Sequence, residues 1–357
     1  MEKSRIKGLI SLSMVTGLLL AACGAETKAT DNSSSESEKT NDYSVVMVTD
    51  NGGVDDGSFN QAAWEGMVEW GKEHGGVEGE NYTYIPSNGD SEYIPNLNQA
   101  IMNDFDIVFG VGFKLKQSMM EIAGDNPEQQ FVITDDSIEG FDNVASVLFK
   151  DQENAFLAGV AAALSTETGK IGMVAGQQSE VLDRFEAGFL AGAYTADPEV
   201  EVQIEYVGSF SDTSKARQIA AGMYSNGIDI VYQGAGDAGN GVFSEARDRM
   251  NADPNEKIWV IGSDRDQTEE GKYDNGNLTL TSSIKGLGQA IKSVANQTMQ
   301  GDFPGGEITK LGLKEEAIYM TRGNLSEDVW TAMEEYKKQI INGEIEVPIN
   351  PDEVATP

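Results

Sequence analysis

Cysteine and histidine are almost missing from these 357 residues, with Cys23 and His74 the sole examples. A zinc site draws on several such ligands, and Ser-His-Asp or Cys-His catalysis needs a histidine beside its nucleophile, so both chemistries are removed together. Basic residues are scarce as well: 25 Lys and Arg stand against 59 Asp and Glu, a formal charge of −34. Such a surface repels nucleic acid and anionic lipid, and direct binding to either is not expected. The acidity suits an exported protein of a salty or alkaline habitat, and no binding site is read from it. No G-x-x-x-x-G-K-S/T phosphate loop occurs, so the chain is not itself an ATPase. After residue 43 there is no Gly/Pro/Ser-rich linker and no repeat at a solenoid period.

The first residues follow a targeting pattern. Lys3, Arg5 and Lys7 precede the uncharged stretch Gly8 to Leu20, and Ala21 and Ala22 lead to Cys23. A basic segment, an apolar segment and a small-residue processing site in that order make residues 1–22 a signal peptide. The apolar segment is short for a membrane span. Leu20-Ala-Ala-Cys23 also resembles the lipobox, whose cysteine receives a diacylglyceryl group and becomes the mature N-terminus. Two acyl chains on one residue give stable anchoring, so the chain is expected on the extracytoplasmic face of the cell membrane, held by lipid on Cys23. Residues 24–42 contain no Val, Leu, Ile or aromatic residue, cannot bury enough apolar surface to offset ordering entropy, and read with Cys23 as a disordered tether. The remaining stretch of about 315 residues exceeds the usual size of one core, so two lobes are expected.

From Tyr43 onward, short β-branched runs alternate with longer segments of helical period, the pattern of an α/β fold on parallel strands. Strands are expected at 44–49, 81–86, 106–111, 130–134, 144–149, 170–175, 201–207, 229–233, 257–262 and 278–282. Ser58 can cap a helix whose Phe59, Ala63, Met67 and Trp70 share one face; 152–165 and 242–250 read as further helices. Two lobes without one long linker imply a chain that crosses between them more than once. In open parallel sheets ligands sit at the carboxyl ends of strands. Several ends here are polar: Asp50 with Asn51, Asp135 with Asp136, Gln233 with Gly234, and Asp264.

Chemistry-bearing patterns are sparse. Asp55-Asp56, Asp135-Asp136 and Asp264 with Asp266 can each be drawn as an acid/base pair or a hard-metal site. With 59 acids, however, chance alone gives on the order of ten adjacent pairs, so no catalytic residue, metal ligand or cofactor is assigned. Gly234-Ala-Gly236-Asp-Ala-Gly239 has the form of a dinucleotide fingerprint but lies far along an exported chain. A tight turn whose backbone approaches a ligand is the favoured reading. Phe59 and Phe210, each among small or polar residues, read either as core or as a pair gripping a planar ring. Lys285 alone says nothing.

Several long motifs then fall in order. Val48-Thr-Asp-Asn-Gly-Gly-Val-Asp-Asp-Gly-Ser-Phe-Asn-Gln61 resembles the opening motif of the basic membrane protein family, nucleoside-binding lipoproteins that deliver ligand to ABC transporters. The likeness continues through Phe156-Leu-Ala-Gly-Val-Ala-Ala-Ala163, Phe185-Glu-Ala-Gly-Phe189, Gly239-Asn-Gly-Val242, Val260-Ile-Gly-Ser-Asp-Arg-Asp-Gln267 and Phe303-Pro-Gly-Gly306, covering the chain after the tether. The resemblance implies the type I periplasmic-binding-protein fold, two doubly wound parallel-sheet lobes joined by three hinge crossings. It places 43–148 with about 265–295 in the N-terminal lobe, and 149–264 with about 296–350 in the C-terminal lobe. It implies base stacking by Phe59 and Phe210, a base hydrogen bond from Asp135 (Asp136 beside it leaves that choice open), and ribose contacts from Asp264 with Lys285. Asp50, Asn51, Asn60 and the backbone at Gly236 complete the implied shell. One departure is Ser263, where many relatives carry Val.

The expectation is therefore a non-enzymatic, monomeric solute-binding lipoprotein that closes its lobes on a nucleoside, purine nucleosides first, for a membrane permease. Phosphate would meet acidic residues, so nucleotides are expected to be rejected. A sugar-binding protein, a surface adhesin or sensor, and a nucleoside-transforming enzyme are the rival readings.

Overall fold

The computed structural model describes residues 43–253 and 255–355. The expected signal peptide, Cys23 and the tether lie outside the described residues. In chain order come β1 (Val45–Thr49), α1 (Phe59–Glu73), β2 (Tyr82–Ile85), α2 (Tyr93–Met102), β3 (Ile107–Val111), α3 (Lys116–Asp125), β4 (Gln130–Thr134) and β5 (Val144–Phe149). Then follow α4 (Asp151–Ser165), β6 (Lys170–Ala175), α5 (Glu180–Ala196), β7 (Glu201–Tyr206), α6 (Thr213–Ser225), β8 (Ile230–Gly234), α7 (Asn240–Ala252) and β9 (Trp259–Asp264). A small hairpin, β10 (Lys272–Tyr273) and β11 (Gly276–Asn277), leads to β12 (Thr279–Lys285), α8 (Leu287–Met299), β13 (Ile308–Leu311), β14 (Ile318–Met320) and α9 (Glu327–Ile341).

The large strands form two sheets of like winding, β13-β5-β4-β3-β1-β2 and β14-β12-β9-β8-β6-β7. All pairings in them are parallel except that of β14 with β12. Helices cover both faces of such sheets, which is why β1, β3 and β8 are buried along their whole length instead of alternating. Each sheet reverses its winding direction once, beside β1 in the first and β6 in the second. These are the switch points where parallel sheets open a crevice.

All ten expected strands are present, with ends displaced by at most a few residues; β10, β11, β13 and β14 were not expected. The expected lobe assignment of the last third needs correction. β12 lies in the second sheet beside β9, with Ser282 opposite Gly262, whereas the stretch 265–295 was expected in the first lobe. β13, expected in the second lobe, joins the first sheet beside β5, with Ile308 opposite Ser146. The chain therefore crosses between lobes near Lys150, near Gly286 and between Gly312 and Ala317. The crossings are stitched together: Lys150 N–H donates to Leu311 O (2.8 Å), and Gly286 N–H to Ala317 O (2.7 Å). Backbone pairing across sheet edges decided these positions, and a strand's own side-chain pattern does not carry that information.

Ser58 is the residue before α1, yet its side chain makes no capping bond. Asp56 takes that role, its carboxylate accepting from the N–H groups of Ser58 (2.9 Å), Asn60 (2.9 Å) and Gln61 (3.0 Å). These satisfy donors that the first helical turn leaves unpaired. Ala63, Met67 and Trp70 are buried as expected from their spacing.

The second lobe is held by a close crossing of α4 and α5. A Cβ at Gly159 would stand 2.2 Å from Phe189 O, one at Gly188 2.2 Å from Gln152 O, and one at Gly192 1.9 Å from Phe156 O. Backbone lies against backbone, so no side chain can move aside to make room. Gly192→Ala is expected to lower the unfolding free energy by about 1–3 kcal/mol. Gly222→Ala, on the open face of α6 with nothing within 4 Å, should raise it by roughly 0.5–1 kcal/mol. Urea unfolding of both variants checks the pair; equal effects would contradict the close-crossing account.

Candidate functional site

The carboxyl ends of the two sheets face one another across a cleft of about 570 Å³, counting the space that opens to solvent. The first lobe contributes Asp50 and Asn51 after β1, Phe59 and Asn60 at the start of α1, Gly112 and Phe113 after β3, and Asp135 after β4. The second lobe contributes Phe210 ahead of α6, Gly236 and Asp237 after β8, Ser263 and Asp264 at the end of β9, and Lys285 at the end of β12. All nine residues singled out from the sequence, Asp50, Asn51, Phe59, Asn60, Asp135, Phe210, Gly236, Asp264 and Lys285, line this one cleft. Asp136 does not; it turns away to pair with Lys116 at 2.7 Å.

Sequence reading missed Asp56, Gly112, Phe113, Val181, Leu182, Phe185 and Asp237 as lining residues, while Gly234, read as a strand end facing the ligand, does line the cleft. Phe185 stood in a quoted motif without a role, and no pattern marked Phe113. Gly176 was also missed: a Cβ there would meet the Phe210 ring at 2.3 Å, so that ring rests on bare backbone. Gly236 has φ +59 and opens a short 3-10 turn to Gly239. A Cβ at Gly239 would meet the Gln233 side chain at 1.9 Å. Both glycines thus serve the tight turn.

The lobes touch across the cleft. Asn51 donates to Ser211 Oγ (3.0 Å), Asn240 to Asp56 O (2.9 Å) and Gln267 to Gly57 O (2.9 Å), while the Ser58 hydroxyl donates to the Asp264 carboxylate. Asp135 and Asp264 occupy corresponding places in the two sheets, after β4 and at the end of β9. Both adopt left-handed backbone, with φ of 63 and 69. That conformation costs an L-residue roughly 1–2 kcal/mol, less for Asp, whose side chain bonds locally. Close packing of the surrounding chain holds both residues there, and such strain concentrates at ligand clamps.

Charge in the cleft is lopsided: five lining aspartates face one lysine. Lys285 Nζ lies 2.9 Å from Asp135 Oδ2 and 2.8 Å from Asp151 Oδ1. It stands 5.4 to 5.5 Å from the ring centres of Phe59, Phe149 and Phe185. Burial alone would lower its pKa, but Asp135, Asp151 and Asp264 more than reverse this and keep it charged. Burial pushes Asp135 up to about 6 against the opposing pull of Lys285. Burial likewise raises Asp264 and Asp56 above the ordinary carboxylate range. Asp50, also raised by burial, reaches about 7 even though the Asn51 N–H and Asn60 amide donate to it. Asn60 Oδ1 is buried without a partner. Left unmet, such an acceptor is costly, and a donor on a bound solute would satisfy it. The arrangement can hold a molecule with flat apolar faces and several hydrogen-bond donors, and it opposes anions.

Residues 43–351 match the family described as ABC transporter substrate-binding protein PnrA-like (Bmp). A protein of Listeria innocua named CD4+ T-cell-stimulating antigen is 42% identical, the match covering 98% of this chain and 100% of the relative. The ABC transporter nucleoside-binding protein BmpA of Lactococcus lactis is also 42% identical, over 97% and 99% of the two chains. Among solved structures, an ABC transporter system solute-binding protein from Aeropyrum pernix K1 superposes with TM-score 0.77 at 27% identity, covering 87% of this chain and 95% of that one.

The Asp50 carboxyl gives the site a pH signature. Its folded pKa of about 7 lies above the ordinary value of 3.8, so the native state holds its proton more tightly than the unfolded state. Ionisation of this group therefore withdraws stability as the pH rises from about 4 to about 7, and withdraws no more above that. Asp50→Asn lacks this dependence. In thermal unfolding at a series of pH values the variant should gain on wild type as the pH rises, by on the order of a few kcal/mol, with a plateau above about pH 7. A pH-independent gap would contradict the buried-acid account.

Proposed function

The chain belongs to the Bmp family of PnrA-like ABC transporter substrate-binding proteins, solute-binding proteins and not enzymes, and from that premise we propose that its cleft captures nucleosides, purine nucleosides first, and delivers them to a membrane permease. The observation that carries this reading is the joint presence in one cleft of Phe59, Phe113, Phe185 and Phe210 with Asp50, Asp135 and Asp264. A nucleoside has a flat base for the rings and a neutral sugar whose neighbouring hydroxyls can donate to a carboxylate. Asp264 is the ribose acceptor, Asp135 accepts from the base, and Phe59 and Phe210 stack on it. Lys285 borders the sugar, and Asp50, Asn51, Asn60 and the Gly236 backbone complete the shell. The name of the Lactococcus lactis relative supports the same ligand class.

Closure is the working step. A solute that contacts both lobes binds the closed state better than the open one and shifts the population by that difference. The permease then recognises the closed form. The protein works as a monomer, its diacylglyceryl-bearing Cys23 in the outer face of the cell membrane and residues 24–42 as the tether. That tether keeps the trap at high effective concentration near the permease.

Titration calorimetry with adenosine, guanosine, inosine, cytidine and ribose tests the ligand. Purine nucleosides should bind and the corresponding 5′-monophosphates should not, because the phosphate would meet the aspartates. Asp264→Ala and Phe59→Ala should each weaken binding by about tenfold or more. Ribose binding without nucleoside binding would overturn the reading, and wild-type affinity in both variants would overturn the residue roles. For the anchor, radiolabelled palmitate should enter the wild-type protein in cells and not Cys23→Ser; label in that variant would place the lipid elsewhere.

A further inference from the structure

A buried ion set lies behind the cleft and runs from one lobe to the other. Asp135 meets Lys285 at 2.9 Å, Lys285 meets one oxygen of Asp151 at 2.8 Å, and the other oxygen of Asp151 accepts from Arg184 Nη2 at 3.2 Å and Nε at 3.3 Å. Asp135 and Lys285 line the cleft; Asp151 and Arg184 do not. The Asp151 side chain is only 1% exposed. Two cations and two carboxylates balance, the condition under which buried charge is tolerated; removing one partner leaves an uncompensated ion.

The set is divided unequally between the lobes. Asp135 comes from the first sheet. Lys285 ends β12, Asp151 opens α4 and Arg184 lies on α5, and α4 packs on α5 and β12, so these three belong to the second lobe. The Lys285 ammonium also stands 5.4 Å from the centre of the Phe59 ring, where the cation attracts the ring face.

We propose that Asp151, oriented by Arg184, is a positioning residue of the solute site: it keeps Lys285 compensated and in place when Asp135 turns to the solute or moves away with its own lobe. Without Asp151, Asp135 is the one carboxylate left in ion-pair contact with Lys285, and Asp264 acts on it from further away. Asp135 is then held to the lysine, and the solute loses an acceptor. The ligand assay rests on the nucleoside reading; the ion set itself does not.

Inosine affinity by calorimetry and lobe closure by small-angle scattering are measured for wild type, D151N, R184M and D151N/R184M, with thermal unfolding to establish that each folds. D151N should bind inosine about tenfold more weakly or worse and, without ligand, should be more closed than wild type, because opening would strand Lys285. R184M, which keeps the Lys285–Asp151 pair, should lose less than about threefold. The double variant still lacks Asp151 and should bind no more weakly than D151N and be as closed without ligand, because Arg184 acts only through Asp151. Wild-type affinity in D151N, or losses in the double variant that multiply as for independent sites, would overturn the proposal. If D151N does not fold, a double variant about tenfold weaker than R184M upholds it and one close to R184M overturns it. If wild type fails to bind inosine, the nucleoside reading falls, and the ligand-free closure of D151N against wild type still decides the ion set: more closed upholds it, unchanged overturns it.

Discussion

The cleft depends on the contact between Asp135 and Lys285, a carboxylate from one lobe against an ammonium from the other. Neither group would be stable alone at such burial, where an isolated ion costs several kcal/mol. Each is tolerable because the other is there, and because Asp151 and Arg184 complete the charge balance from behind. The pair also lies close to the first two interlobe crossings, beside Lys150 and Gly286. The rings of Phe59, Phe149 and Phe185 around the ammonium exclude water and strengthen the attraction by lowering the local dielectric.

Around this contact the cleft is short of positive charge. Lys285 is the one lysine or arginine among its lining residues, and its charge is already spent on Asp135 and Asp151. An anion entering the cleft would find aspartates and no free cation, whereas a neutral molecule rich in hydroxyl or N–H donors would find acceptors. Selectivity against phosphorylated forms of a solute thus needs no dedicated rejecting residue. It follows from the same carboxylates that accept hydrogen bonds.

Much of this architecture was legible in the sequence because long parallel strands are continuous apolar runs: Gln130–Thr134, Val144–Phe149 and Lys170–Ala175 have the bounds read from composition alone. β13 and β14 were not, since edge strands of four and three residues with partly exposed side chains leave little pattern. The lobe to which β12 belongs was misjudged because pairing with β9 is a tertiary fact. At the site, aspartates and phenylalanines in long motifs could be named, and those given a ligand role line the cleft, except Asp136, the alternative to Asp135. Asp151 could not, since as the first residue of a helix it looks like any acidic residue in a first turn, favourable there without further meaning. Gly112 and Gly176 were invisible for a different reason. Their contribution is space, and absent atoms leave no chemical mark in a sequence.

The two left-handed aspartates, Asp135 and Asp264, have a consequence of their own. They sit at matching positions in lobes of matching winding, so the cleft is built from two half-sites, each offering one acceptor. A guest that engages one of them leaves the lobes as free to part as before; a guest that engages both ties them together. Under the proposed closure, the device therefore works as a logical AND, reading out not how tightly a molecule sticks but whether it spans. Fragments of a solute can occupy either half and still give no closed output.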